Sequence, residues 1–394
     1  LILALSHKTT AIDIACVKHT GQMIIGQAQS DGPPRSWRMR LLGWRNRILG
    51  SARFQRHAAA NPFLRPIARR RAGALFDLVA GFTYSQVLLC TVESGCVQRL
   101  GEGPASADEL ARLAGLSPEA TLRLLRAAAA IGIVENARGD WWMLGRHGAA
   151  LHGNAGALAM IRHHTLLYAD LADPLALLRA DRAQPTALSH FWSYAGRAAE
   201  ADPQRAGAYS QLMSASQAPV AQEVLAAYDL SRHASLLDVG GGQGTFLDAV
   251  GAAHPALRLG LFDLPEVTAR LDAGRVAVHP GSFFEDALPR GYDCISLVRI
   301  LHDHDDGPAL EILRNIRAAL EPGGALLIAE PMAGTPGAEA MGDAYFGFYL
   351  WAMGQGRPRT AKEIHSMLRD AGFARSRRIA TRQPLIASLT VAVA

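Results

Sequence analysis

The chain has 394 residues, 49% of them apolar and 19% charged, which is material for two packed domains and excludes a disordered chain. Forty Lys and Arg against 35 Asp and Glu leave a net charge of +5, but the excess is local: between Asp31 and Asp77 lie eleven arginines and no acid, so the remainder is net acidic. Cys16, Cys90, Cys96 and Cys294 form no CxxC pair, which argues against a disulfide frame and for reduced thiols in a cytosolic protein.

In chain order, Leu1–Leu5 is too short for a signal core, and no stretch reaches the roughly 18 to 20 apolar residues of a membrane span. Residues 1–34 carry no functional expectation. From 35 to 71, arginines are interleaved with Trp37, Leu41, Trp44, Ile48 and Leu49 at roughly helical spacing, as in an interfacial amphipathic helix; a solvated arm or a surface packed on a partner subunit fits the same composition. From about 73 the chain reads as helical. Ser106 and Glu109 predict a capping box opening a helix that Gly115 ends, and Ser117–Pro118 predicts the next, over 119–131. Two short strands around a turn follow, near Gly132–Val134 and Trp141–Leu144. Helix, turn, helix, hairpin is a winged-helix pattern. Arg123 and Arg126 suit DNA or solvent alike, and a dimerising role without nucleic acid is preferred.

From about 233 the pattern changes to short apolar runs, at 236–239, 257–262, 293–297 and 325–329, with helical segments between them. This predicts an α/β, doubly wound parallel sheet. The tail, 376–380 and 386–393, predicts a closing hairpin with an antiparallel edge strand. The first strand runs into Gly240-Gly241-Gly242-Gln243-Gly244, where glycines permit a sharp turn and close ligand approach beside a helix N-terminus. Thr245 breaks a GxGxxG fingerprint, and the GK[ST] of a phosphate loop is absent. Asp238, just before the loop, is awkward beside a pyrophosphate but suits a ligand carrying positive charge. Asp263 ends the second strand, 21 residues after Gly242, where a carboxylate can accept from both ribose hydroxyls. Alone, such a loop is often just a tight turn; joined to Asp238 and Asp263 it reads as a nucleoside site.

Leu237-Asp238-Val239-Gly240-Gly241-Gly242-Gln243-Gly244, Phe262-Asp263-Leu264-Pro265, Gly281-Ser282-Phe283-Phe284, Leu301-His302-Asp303 and Pro322-Gly323-Gly324-Ala325-Leu326-Leu327-Ile328 resemble, as an ordered set, the S-adenosylmethionine-dependent O-methyltransferases of the caffeate and acetylserotonin type. The leader and the wording of the motifs are most similar to the bacterial carotenoid-hydroxyl methylases of the hydroxyneurosporene (demethylspheroidene) kind. The resemblance implies a basic leader (1–72), a helical, winged-helix-like dimerisation and substrate-capping domain (73–225), and a Rossmann-like S-adenosylmethionine-binding catalytic domain with a closing β-hairpin (226–394). It implies cofactor contacts at Asp238, Gly240, Gly242, Asp263, Gly281, Ser282, Phe283 and Arg299, with His302 as general base oriented by Glu330. Met213 and Met353 would line the acceptor pocket, and no metal is expected.

Departures from the family pattern bear on the acceptor. Ser282 stands where the family usually has Asp, His304 where a tryptophan is common, Pro358 in place of a second glutamate, and Met353 in place of an asparagine that holds polar phenols. Fewer polar partners imply an apolar hydroxylated acceptor such as a 1-hydroxy carotenoid. The implied enzyme is a homodimer, cytoplasmic or peripheral at the inner face of the membrane. Tetrapyrrole, polyketide or phenolic acceptors are alternatives, and a winged-helix ligand-sensing DNA-binding regulator is the alternative of another class. His163-His164 reads as a polar helix face, Asp305 and Asp306 as acids favouring the N-terminus of helix 308–320, and Met341–Met353 as either core or an apolar channel.

Overall fold

Serine hydroxyls open the first two helices of the computed structural model, which describes residues 36–192, 203–269, 271, 274 and 276–394. Ser36 accepts from Met39 N before α1 (Trp37–Gly50), and Ser51 accepts from Phe54 N before α2 (Ala52–Ala60). α1 buries no residue. Trp37, Leu41, Trp44 and Ile48 share a narrow stripe by helical spacing, with Arg38 and Arg45 on one side of it and Arg40 and Arg47 on the other. Leu42 and Leu49 lie off the stripe, so apolar and basic residues are less segregated than an amphipathic pattern implies. These elements belong to one compact unit, residues 1–80, and residues 81–394 form a second. The helix α3 (Arg65–Glu93) runs without a break through position 72. It is also long and apolar enough, by length and composition alone, to cross a membrane, with a mean hydropathy of 1.5 over its apolar window. The sequence expectation counted only uninterrupted apolar runs, and Gly, Ser, Thr and Tyr interrupt this one.

The winged-helix pattern folds as α4 (Cys96–Gly101), β1 (Ala105–Ser106), α5 (Ala107–Ala114), α6 (Pro118–Ala130), β2 (Val134–Arg138) and β3 (Trp141–Leu144). Its sheet has the order β1-β3-β2. Ser106 accepts from Glu109 N, and Gly115 ends α5 at φ +65°. The return half of the expected capping box is missing, because the Glu109 carboxylate goes to Arg99 instead. Arg123 is exposed and pairs with Glu119 on its own helix. Leu110, Leu125, Val97 and Trp142 bury the core of this domain. There follow α7 (Arg146–His152), α8 (Ala155–Asp170), α9 (Pro174–Arg179), α10 (Ala187–Trp192) and α11 (Pro203–Ala227).

The remaining chain forms β4 (Ser235–Val239), α12 (Thr245–Ala253), β5 (Arg258–Asp263), α13 (Pro265–Thr268), β6 (Ala277–Pro280), β7 (Cys294–Val298), α14 (Asp306–Ala319) and β8 (Ala325–Glu330). A π-helical segment, Ala340–Phe346, then leads into α15 (Gly347–Met353), α16 (Ala361–Asp370), β9 (Arg375–Ile379) and β10 (Ser388–Val393). The seven strands lie in the order β6-β5-β4-β7-β8-β10-β9, so the chain winds outward through β5 and β6 and then crosses back to β7. Side chains alternate between two cores. Leu237, Ile295, Leu297, Leu326 and Ile328 face α14 and α16, while Leu236, Leu259, Leu261 and Leu327 face α11 and α12. Both faces are covered, which is why these strands read as continuous apolar runs. The hairpin differs from expectation in its order: the antiparallel strand is β10, paired with β8, and β9 is the edge. The short edge strand β6, closed by Pro280, gives no apolar run and was not foreseen.

Candidate active site

Four of the five motifs of the second half lie at the carboxyl end of a parallel strand, on both sides of the switch between β4 and β7, the rim at which open α/β sheets bind ligands, while Pro322–Ile328 leads into β8 from its amino end. Glycine makes the first loop possible. Gly240, Gly242 and Gly244 have φ of +72°, +57° and +79°. Gly240 N donates to Phe262 O at 2.8 Å and Gly242 N to Asp263 Oδ2 at 2.7 Å, which ties the loop to β5. The other carboxylate oxygen of Asp263 accepts from Leu264 N at 2.7 Å, and burial pushes its pKa up against these bonds. Asp238 is buried at the end of β4, its Oδ1 accepting from Ser296 Oγ at 2.6 Å. Its Oδ2 is buried and has no hydrogen-bond partner among the described residues. Burial raises the carboxyl to about 7, and nearby Asp263 adds to the rise against the Ser296 bond.

Beyond β6, Gly281 N donates to Asp263 O, and a Cβ at Gly281 would stand 2.7 Å from the Phe262 ring. Ser282 turns its backbone N–H to Asp286 and its hydroxyl to Phe284 N. Phe283, Phe284 and His304 meet edge to face at 4.8 to 5.5 Å between ring centroids. Burial holds His304 neutral, with its pKa lowered to about 4.

After β7, Arg299 is the only non-glycine residue with positive φ, at +61°, among the described residues. Such a conformation costs about 1–3 kcal/mol and persists only when its surroundings enforce it. Here its N–H bonds Ala329 O and its Nη1 donates to Ser216 Oγ at 2.6 Å. A 3₁₀ turn, Leu301–Asp303, then presents His302, 3% exposed. Glu330 at the end of β8 is fully buried; its Oε2 accepts from His302 N at 3.0 Å and lies 3.3 Å from His302 Nδ1. Asp303 Oδ1 lies 3.1 Å from Nε2. Burial alone would lower the imidazole pKa, but Asp303 and Glu330 outweigh it and the net shift is upward.

The structure therefore brings Asp238, Gly240, Gly242, Asp263, Gly281, Ser282, Phe283, Arg299, His302 and Glu330 to one rim. Met353 is buried in a cluster with Leu167, Leu188, Tyr349 and Leu350, against which Phe346, the neighbour of His302, also packs. Met213 falls on α11, and its side chain lies outside the described residues.

Two groups were missed or misread from sequence. His163 and His164 are no polar helix face: they pair with Tyr349 and Tyr345 at 2.7 Å, and burial keeps both neutral, His163 at about 4. The π-helical segment delivers Tyr345 to His164 and Phe346 edge-on to His302, at 5.8 Å. Asp305 and Asp306 do stand at the N-terminus of α14, as its N-cap residue and in its first turn, and their carboxylates also accept from Gly356 N, Arg182, Arg357 and Arg359.

A doubly wound sheet with this strand order and this loop at its switch point is the architecture of S-adenosylmethionine-dependent methyltransferases. Residues 168–374 match the O-methyltransferase domain model and residues 76–152 the O-methyltransferase dimerisation domain. The chain is 43% identical over 356 residues to demethylspheroidene O-methyltransferase of Cereibacter sphaeroides, covering 88% of this chain and 93% of the relative. It is 30% identical over 369 residues to acetylserotonin O-methyltransferase of Mus musculus molossinus, covering 79% and 86%. The SAH-bound structure of CalO1, a methyltransferase in calicheamicin biosynthesis, superposes with a TM-score of 0.69 at 27% identity, covering 82% of this chain and 98% of that one. The chain belongs to the O-methyltransferase family.

Proposed function

We propose that the protein transfers a methyl group from S-adenosylmethionine to the hydroxyl of a 1-hydroxy carotenoid, with His302 as general base. The observation that carries the catalytic part is the buried His302–Glu330 pair at the strand rim. The acceptor class rests on the 43% identity to demethylspheroidene O-methyltransferase and on the apolar surroundings of Met353.

The residues fit the cofactor. Asp238 Oδ2 is an unpartnered buried acceptor, costly to leave unmade, and a cationic ligand would satisfy it and return the carboxyl to its charged form. Nothing fills the space where a Gly242 Cβ would stand, so a ligand can approach that backbone closely. Asp238 and Asp263, with the Gly240–Gly244 backbone and Phe283, would hold it. When bound, S-adenosylmethionine supplies an electrophilic methyl group on a sulfonium.

His302 supplies the proton acceptor an alcohol needs. Glu330 facing Nδ1 favours the tautomer with its proton there, leaving the Nε2 lone pair for the acceptor hydroxyl. The acceptor hydroxyl, donating to that lone pair, takes the place of the Asp303 contact at Nε2, which re-forms once Nε2 is protonated. Once protonated, the imidazolium lies between two carboxylates, which stabilise it. Such acid–base help contributes about 10²–10⁴-fold, and alignment of the reactants contributes the rest.

His302→Ala is the test. With methyl-labelled cofactor and a detergent-solubilised hydroxy carotenoid, turnover should fall by about 10²-fold or more while calorimetric cofactor affinity stays unchanged. Lost cofactor binding with an unaltered single-turnover rate would overturn the assignment.

The dimerisation domain, together with exposed Leu78 and Phe82 on α3, supports a homodimer as the working form. The arginine-flanked stripe of α1 supports peripheral attachment to an anionic membrane, where a carotenoid alcohol resides.

A further inference from the structure

The largest fully buried side chain among the described residues is charged: Arg359, 0% exposed. It stands just before Thr360, the residue whose capping box with Glu363 opens α16. A guanidinium taken from water must find partners for its donors. Arg359 spends them on one loop. Nη1 donates to Leu301 O and Nη2 to His304 O, both at 2.7 Å, while Nε and Nη2 reach Asp306 Oδ1 at 3.0 and 2.8 Å. Between them, His302 O accepts from Arg357 N at 2.9 Å. Gly356 completes the approach at φ +78°, where a Cβ would collide with His302 O. Segment 356–359 therefore supplies donors to the carbonyls on either side of His302 and to its own. The segment is itself anchored, with Ala333 N donating to Arg359 O at 3.0 Å and Ala333 bridging Thr360 just past β8, the strand that carries Glu330.

We propose that Arg359 is a positioning residue for His302: it fixes the Leu301–His304 turn so that the imidazole keeps its alignment between Glu330 and the acceptor. The inference rests on the reading of His302 as base. The geometry explains why a charged group is buried here. A neutral side chain of the same length would leave two carbonyls without partners and free the turn to rotate, and misplacement of a catalytic group by about 1 Å can cost about 10²-fold in rate. Asp306 compensates the charge from the solvent side, its own pKa lowered chiefly by Arg357 with Arg359 adding to it.

A double-mutant cycle on the full-length enzyme decides the matter. Arg359→Met should lower kcat by about 10- to 100-fold with cofactor KM changed less than about threefold, and Arg359→Lys, which keeps a cation and donors, should recover part of the loss. In a His302→Ala background the same Arg359→Met change should cost less than about twofold, since the group it positions is gone. An equal loss in both backgrounds, or wild-type kcat in a folded Arg359→Met enzyme, overturns the proposal. If Arg359→Met does not fold, Arg359→Lys carries the cycle, with the same criterion of non-additivity. A His302→Ala enzyme of undiminished turnover would instead remove the base reading itself, and that single variant reports it independently of the arginine.

Discussion

At the scale of single residues, the proposed role of His302 depends on how a buried imidazole is kept basic. Burial disfavours His302 in its charged form, and two carboxylates, Asp303 on Nε2 and Glu330 on Nδ1, more than offset this. The sign follows directly. A base must be neutral, so turnover is low below the imidazole pKa and rises as pH passes through it. An upward-shifted pKa places that rising limb above the ordinary histidine value of about 6.5. Asp303→Asn removes one stabilising charge and should move the midpoint of kcat against pH to lower values, whereas His304, already neutral above about 4, contributes no second limb in the neutral range. A profile of kcat from pH 5 to 9 for both enzymes tests this; an unshifted midpoint in Asp303→Asn would mean that Asp303 does not set the His302 titration.

Among the elements, function is concentrated where strands end, and glycine decides how sharply they can. A side chain at Gly240 meets two obstacles, a left-handed backbone and the tip of Ile300, 2.5 Å from where its Cβ would stand. Gly242 presents only the first, since nothing lies within 4 Å of its Cβ position. The backbone part alone costs about 1–2 kcal/mol. Gly242→Ala should lower stability by about that amount in urea denaturation, and Gly240→Ala by more, because Ile300 immediately precedes the His302 turn and must move. Equal losses would show that Ile300 yields freely. The same elements explain what the sequence made legible. Strands β4, β5, β7 and β8 are buried on both faces and so announce themselves as apolar runs, and the glycine loop with Asp238 and Asp263 is a local pattern with fixed spacing. The pairing of His302 with Glu330 was legible only through the ordered motifs. Arg359, 58 residues from Leu301 in sequence, and the His163–Tyr349 pair, 186 residues apart, are joined by tertiary packing that no periodicity encodes. β6 is too short and polar, and a π-helical segment has no sequence period of its own distinct enough to read.

For the molecule as a whole, the proposed acceptor sets the constraint: a carotenoid alcohol prefers a bilayer, so the chain must collect it there. The arginines of residues 35–71 carry no acidic neighbour, and α1 displays Trp37 at 76% and Trp44 at 58% exposure. Each basic side chain near an anionic surface contributes up to about 1 kcal/mol, an attraction that fades within a Debye length of about 8–10 Å at ordinary salt, while tryptophan insertion adds a salt-insensitive part. The full-length protein should therefore cosediment with phosphatidylglycerol-containing vesicles at low salt, bind phosphatidylcholine vesicles weakly, and be partly released by 0.5 M salt, on the order of several Debye-screened contacts. Replacing Arg38, Arg40, Arg45 and Arg47 together by Glu should abolish vesicle binding and turnover of bilayer-embedded acceptor, and leave turnover of detergent-solubilised acceptor intact. That split separates a membrane role from a catalytic one, because none of the four residues lies in the described catalytic rim. Should the unaltered protein stay in the supernatant at low salt, the exposed tryptophans belong to a subunit contact instead, and the quadruple variant would then sediment as a smaller species in analytical ultracentrifugation.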